Sequence, residues 1–232
     1  MFTPFLITLF VLAALAAPSA VKKSGCNVSK TTLTLPSNQS GTPLAAPQAG
    51  GPRFIAVAIG VQNYTCASTG TYTSVGALAE LFDVSCLPSS LYSDVTDIAW
   101  DGWKDARKDI TAAEVIKDLA VFDPPFVLGQ HYFITNPITG SGLSPKWDFT
   151  SASEDGKPNA YVVGAKTGDI LSPTDSAVNI DWLSLSNAQG NLATQVFRVQ
   201  TRGGQPPTSC TPGSPEIYVR YASQYWLYGG SF

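Results

Sequence analysis

Phe54-Ile-Ala-Val-Ala-Ile-Gly-Val-Gln-Asn-Tyr64 sets the fold class. Ile55, Val57, Ile59 and Val61 fall at period two, which is the mark of a strand with one large apolar face. Outward from it, Gly76–Cys86, Gln130–Thr135, Lys146–Ser151, Asn159–Lys166, Val178–Leu185, Gln195–Thr201 and Glu216–Tyr228 read as further strands. Gly, Pro, Asn and Ser separate them, as in antiparallel sandwiches and barrels. One segment breaks the rhythm. Thr111-Ala-Ala-Glu114 is a capping box, Val115, Ile116, Leu119 and Ala120 follow at helical spacing, and Pro124-Pro125 ends the run. The sequence therefore predicts a mainly β, single-domain antiparallel sandwich or barrel with one short helix near 112–121.

The N-terminal side reads differently. Pro4–Ala17 is apolar apart from Thr8, and Ala14-Leu15-Ala16 supplies a small-x-small cleavage pattern. This predicts a signal peptide over 1–16, cut within 16–20, and hence a secreted protein, extracellular or wall-held. No later segment has the length of a membrane anchor. Residues 17–52, rich in Pro, Ser and Thr, read as an extended arm, and 53–232 as the β-rich domain. Asn27, Asn38 and Asn63 head glycosylation sequons. Cys26, Cys66, Cys86 and Cys210 make an even set for two disulfides, with three possible pairings. Cys66 and Cys210 both end core strands, which favours Cys66–Cys210 with Cys26–Cys86.

Composition narrows the function. The 232 residues carry 14 Lys and Arg against 17 Asp and Glu, a net charge of −3, and only 13% are charged. No basic excess marks a nucleic-acid partner. A single His rules out a multi-histidine metal centre, and no Cys-x-x-Cys occurs. No glycine-rich phosphate loop or dinucleotide fingerprint follows a strand, so no cofactor is expected. Asp94, Asp97, Asp101, Asp105 and Asp109 recur at spacing three or four, as on one helix face. They lack the alternate-residue spacing of a calcium loop, and Lys104, Arg107 and Lys108 offset them. The expectation is a solvated face whose helix Gly102 interrupts. Trp100 and Trp103 either pack that segment onto the body or stand out as sugar platforms.

The candidate ligand-binding residues are His131, Tyr132, Trp147, Asp148, Asp181 and Trp182. His131 is the one side chain whose ordinary pKa lies near neutrality. Asp148 and Asp181 sit among apolar neighbours able to raise a carboxyl pKa. The aromatic residues are of the type that stacks on sugar rings. No Gly-x-Ser-x-Gly elbow accompanies His131. The expected function is non-catalytic binding of a cell-wall polysaccharide or extracellular surface. The alternative is an extracellular hydrolase using His131 or the Asp148 and Asp181 carboxylates.

Several segments together carry a resemblance. They include Gly60-Val-Gln-Asn-Tyr-Thr-Cys66, Ala79-Glu-Leu-Phe-Asp-Val-Ser-Cys86, Gly129-Gln-His-Tyr132, Pro145-Lys-Trp-Asp148 and Asp181-Trp-Leu-Ser-Leu185. Val196–Cys210 and Tyr221–Tyr228 complete the series. The chain from about Arg53 to Tyr228 resembles domain-of-unknown-function family 3455, found in fungal and bacterial exported proteins. The resemblance implies an exported, single-domain, β-rich protein and no particular activity. Some fungal members bear the label malate dehydrogenase, which the missing nucleotide fingerprint contradicts here. Tyr92–Asp109 departs from the family pattern and reads as an insertion.

Overall fold

The computed structural model describes residues 25–232. The signal peptide expected over 1–16, with its cleavage site, lies outside them. Strand β1 (Gly41–Thr42) comes first, then β2 (Pro52–Cys66) and β3 (Tyr72–Asp83). A 3-10 turn at Ser89–Leu91 leads to helices α1 (Val95–Lys104) and α2 (Ala112–Phe122). The remaining strands are β4 (Val127–Thr135), β5 (Leu143–Asp148), β6 (Tyr161–Ile170), β7 (Trp182–Gln189), β8 (Gln195–Gly203) and β9 (Ile217–Tyr228).

Each strand from β2 to β9 pairs antiparallel with the next, and β9 pairs back to β2. The result is a closed eight-stranded up-and-down barrel rather than a sandwich. β6 decides this, because its first residues pair with β5 while most of its length pairs with β7. β1 is an extra strand laid beside Asp169 and Ile170, beyond the point where β5 has ended. The seam between β5 and β6 is the short one, paired only through Lys146–Asp148 and Tyr161–Val163.

The period-two pattern of β2 serves two cores. Ile55, Val57 and Val61 point out of the barrel and pack with Ala99 and Trp103 of α1 and with Val115 and Leu119 of α2. Ala56 and Ala58 point in, where Trp147, Tyr221 and Tyr225 occupy the volume that the small residues leave. At Gly60, the next inward position after Ala58, a Cβ would lie 2.2 Å from the Leu78 carbonyl oxygen. The arm covers another sector. Its Leu33 and Leu44 join the outer core with Trp182 and Phe197, and Ala45 N donates to Ser184 Oγ at 3.0 Å. Cys26–Cys86 ties the arm to the end of β3, and Cys66–Cys210 ties β2 to the loop before β9.

Two helices stand where one is expected. α2 carries the anticipated capping box: Glu114 N donates to Thr111 Oγ1 at 3.2 Å and Thr111 N to Glu114 Oε2 at 2.8 Å. Asp123 closes it in the left-handed region. α1 runs straight through Gly102, contrary to expectation. A helical glycine costs about 1 kcal/mol, and tertiary anchoring offsets it. Trp103 Nε1 donates to Gly60 O at 2.7 Å, and Arg220 stacks 4.5 Å over the Trp103 ring. The Arg220 guanidinium also donates to the carbonyls of Trp103, Ala106, Arg107 and Ile110. Trp100 and Trp103 thus pack the segment onto the body. Only Asp97 and Asp101 lie within α1, so the five aspartates do not share one helix face. Asp97 pairs with Arg202, Asp101 with Lys104, and Asp109 with Arg107.

Candidate functional site

The six sequence-predicted residues form three adjacent pairs, and strand geometry divides them. Successive side chains in a strand point to opposite faces. His131 pairs across with Trp147 on the inner face, while Tyr132 pairs with Lys146 on the outer face and Asp148 with Gln130. Asp181 sits at the barrel end beside β1, and Trp182 packs into the outer core beneath the arm. The six do not converge.

The inner members are sealed. His131 and Trp147 are 2% and 1% exposed, and their rings stack at 4.5 Å with a 16° tilt. Tyr225 lies 5.3 Å from the His131 ring and 5.4 Å from Trp147. His131 Nδ1 lies 2.9 Å from the Lys146 carbonyl oxygen, which only accepts, so Nδ1 carries the hydrogen. Burial pushes the imidazole pKa down to about 3, against the opposing pull of that hydrogen bond. This histidine is neutral throughout the physiological range.

The outer members form a connected polar cluster. Tyr132 Oη donates to Asp148 Oδ2 at 2.7 Å, and Lys146 Nζ reaches the same oxygen at 2.7 Å. Asp148 Oδ1 accepts from Thr150 N at 3.0 Å and from Thr150 Oγ1 at 2.6 Å. Burial acts upward on the Asp148 pKa, but the bonds from Lys146, Thr150 and Tyr132 outweigh it and hold the carboxyl at about 2. Lys146 Nζ stands 4.5 Å from the Tyr161 ring centre and 5.5 Å from that of Tyr132. Asp148 therefore serves as a fixed anion that orders its neighbours.

Sequence reasoning passed over Glu80. It lies in one cross-strand row with Gln130 and Asp148 and is 1% exposed. Gln130 Nε2 donates to its two oxygens at 3.1 and 3.4 Å, and Ser151 Oγ donates to Gln130 Oε1. Burial raises the Glu80 pKa to about 8, the Gln130 bond opposing. A lone acid in the run Leu78-Ala-Glu-Leu-Phe82 was the available signal.

Two sectors of the outer wall are covered. α1 packs on β2, β8 and β9, α2 packs on β2 and β3, and the arm lies against β6 to β8. Tyr132, Lys146 and Tyr161 are half-buried on the stretch of β4, β5 and early β6 between them.

At the barrel end, Ser40, Gly41, Thr42, Asp169, Leu171 and Asp181 line a cavity of about 370 Å³. Burial and the neighbouring Asp169 raise the Asp181 pKa. Arg198 donates from Nε and Nη2 to the Asp181 carbonyl oxygen at 3.0 and 2.9 Å. Among the described residues, no group of three or more His, Cys, Asp or Glu gathers as metal ligands. No described helix is long and apolar enough to cross a membrane. Asn27 and Asn38 are exposed on the arm, whereas Asn63 is half-buried in β2.

No curated protein and no solved structure matches the chain. Residues 47–229 match the family described as protein of unknown function (DUF3455), with the barrel and both helices inside the match. By that match the chain belongs to the DUF3455 family.

Proposed function

We propose that the protein is an exported binding module that holds a cell-wall polysaccharide or similar extracellular glycan on the outer wall of β4, β5 and β6. The observation that carries this reading is the pairing of Tyr132 and Tyr161 about Lys146, with Asp148 fixed beneath. Such a wall offers ring faces for sugar C–H groups and a set of hydroxyl, ammonium and amide groups for sugar hydroxyls. The apolar leader expected at the N-terminus and the two disulfides support export.

Binding is preferred to hydrolysis for two reasons. His131 is sealed inside the barrel and has no access to a substrate proton. The alternative's two carboxylates stand apart: Asp148 lies across from Tyr161 at the start of β6, whereas Asp181 lies beside Asp169 near the end of that strand, so the two do not flank one glycosidic bond.

Co-sedimentation of the mature chain with insoluble glucan, chitin and cellulose tests the proposal. Retention on at least one polymer is expected, falling about tenfold in Tyr161→Ala and Tyr132→Ala, as loss of a stacking contact implies. His131→Phe should bind like the parent. No retention on any polymer, or retention indifferent to both tyrosines, overturns the reading.

A further inference from the structure

In an up-and-down barrel, alternate connections leave from the same end. The β2–β3 loop (67–71), β4–β5 loop (136–142), β6–β7 loop (171–181) and β8–β9 loop (204–216) therefore share one end. Five of the nine exposed large apolar side chains among the described residues stand on or beside these loops. They are Ile138, Leu143, Leu171, Val178 and Tyr218, each at least 50% exposed. Single apolar residues scattered over a surface are ordinary, whereas a majority gathered at one end marks a contact surface.

The loops are built to hold these side chains out. Ile138 N and Thr139 N donate to Asn136 Oδ1 at 2.8 and 3.1 Å, and Asn136 N donates to Gly142 O at 3.0 Å. In the β6–β7 loop, Val178 N donates to Asp175 O at 3.0 Å and Gln205 N to Val178 O at 3.1 Å. Ile180, two residues on, is 3% exposed and joins the inner core, so this loop plugs the barrel end and leaves Val178 outside. Cys66–Cys210 and the bond from Cys210 N to Gly70 O at 2.9 Å clamp the β8–β9 loop to the β2–β3 loop. A surface fixed in advance loses little entropy when it is covered.

Charge says what can cover it. The four loops hold three acids, Asp175, Asp181 and Glu216, and no Lys or Arg; Asp181 lines the cavity beside Asp169. The connections that leave the other end hold twelve charged residues in 84–126 and three in 149–160. A chain of net charge −3 repels its own copies, and least where its charges are fewest. We infer that this end is an interface between two copies of the chain, meeting loop to loop about a twofold axis with the five apolar side chains as its buried part. Such a contact needs only a surface complementary to itself. Exposed Asp175 and Glu216 stay at its wet rim. A lipid surface fits less well, because these loops offer no Lys or Arg to anionic headgroups and would press two carboxylates against them. The contact does not depend on glycan binding at the outer wall.

Analytical ultracentrifugation of the mature chain over a concentration series tests this. The expected result is a monomer–dimer equilibrium that added salt does not weaken, since no ion pair holds it. Ile138→Ser and Val178→Ser, at exposed positions, should keep the parent's urea midpoint and each weaken the dimer at least about tenfold, as loss of a buried aliphatic side chain implies. Val121→Ser, at an equally exposed apolar residue on α2, should dimerise like the parent. A chain that stays monomeric up to about 1 mM overturns the proposal. So does a dimer that ignores both Ile138→Ser and Val178→Ser, or one that Val121→Ser weakens as much. A monomer that floats with phosphatidylcholine vesicles and loses that property in Ile138→Ser would show that the loops dock on lipid instead, and overturns it as well.

Discussion

The inner and outer faces of strands β4 and β5 are built from neighbouring residues and have opposite chemistry. Inside, His131 and Trp147 stack in a sealed space, and burial drives the imidazole to its neutral form. Outside, Tyr132, Lys146 and Asp148 satisfy one another, and the carboxyl stays ionised despite its burial. The difference lies in partners rather than in depth. Asp148 is as buried as many core residues, yet donors converge on it, whereas Trp147 Nε1 has no acceptor at all. Burial alone thus does not decide whether a polar group is a cost; the partners supplied by the next strand do.

The sharpest way to break this contrast is truncation of the inner aromatic. Trp147→Ala removes a fully buried indole from a closed barrel and should cost about 3–5 kcal/mol in urea unfolding. Tyr132→Ala, on the half-open outer face, should cost about 1 kcal/mol or less. Equal costs would mean that the inner face is no more closely packed than the outer.

A second pair of variants sharpens the contrast through pH. His131 has a folded-state pKa of about 3 against 6.5 when free, so the unfolded chain binds its proton first. Stability from this group is complete above pH 6.5 and is lost as pH falls toward 3. Glu80, at about 8 against 4.5, acts in the other direction. Its folded form favours the neutral acid, so stability is complete below pH 4.5 and is lost as pH rises toward 8, by on the order of 5 kcal/mol. Glu80→Gln should flatten the alkaline limb and His131→Phe the acid limb of a stability profile measured by denaturant midpoints. A limb unchanged by its variant would show that another group sets it.

The smallest effect is expected at Asp148. Its carboxyl is held below its ordinary 3.8, at about 2, so its contribution is present above pH 3.8 and is lost as pH falls toward 2. Allowing for solvent screening at the wall, Asp148→Asn should cost about 1 kcal/mol at pH 7 and only a small part of that at pH 2. The same cost at both pH values would mean that Asp148 acts by packing and not by charge.

Much of the fold was legible in the sequence, because period two in Ile55–Val61 and the capping box at Thr111–Glu114 are local signals. The choice of barrel over sandwich was not, since it depends on β6 pairing with β5 at one end and β7 at the other. α1 was hidden by Gly102, whose cost is met by Arg220, a residue more than a hundred positions away. The candidate site was legible as residues but not as places. His131-Tyr132, Trp147-Asp148 and Asp181-Trp182 look like compact units in the chain, yet the alternation that marks strands also divides each pair. Glu80 escaped notice because its importance comes from its row across the sheet, with Gln130 and Asp148, and not from its own neighbours.

The pairing of β2 with β9 also governs when the molecule comes into being. The strand that starts the barrel waits for the last one, and the Cys66–Cys210 bridge spans 144 positions between the same two regions. Every stave can hairpin with its successor as the chain lengthens, but β2 keeps one bare edge until residues 217–228 arrive. Long-range closure of this kind slows folding and leaves a sticky strand edge in the interval.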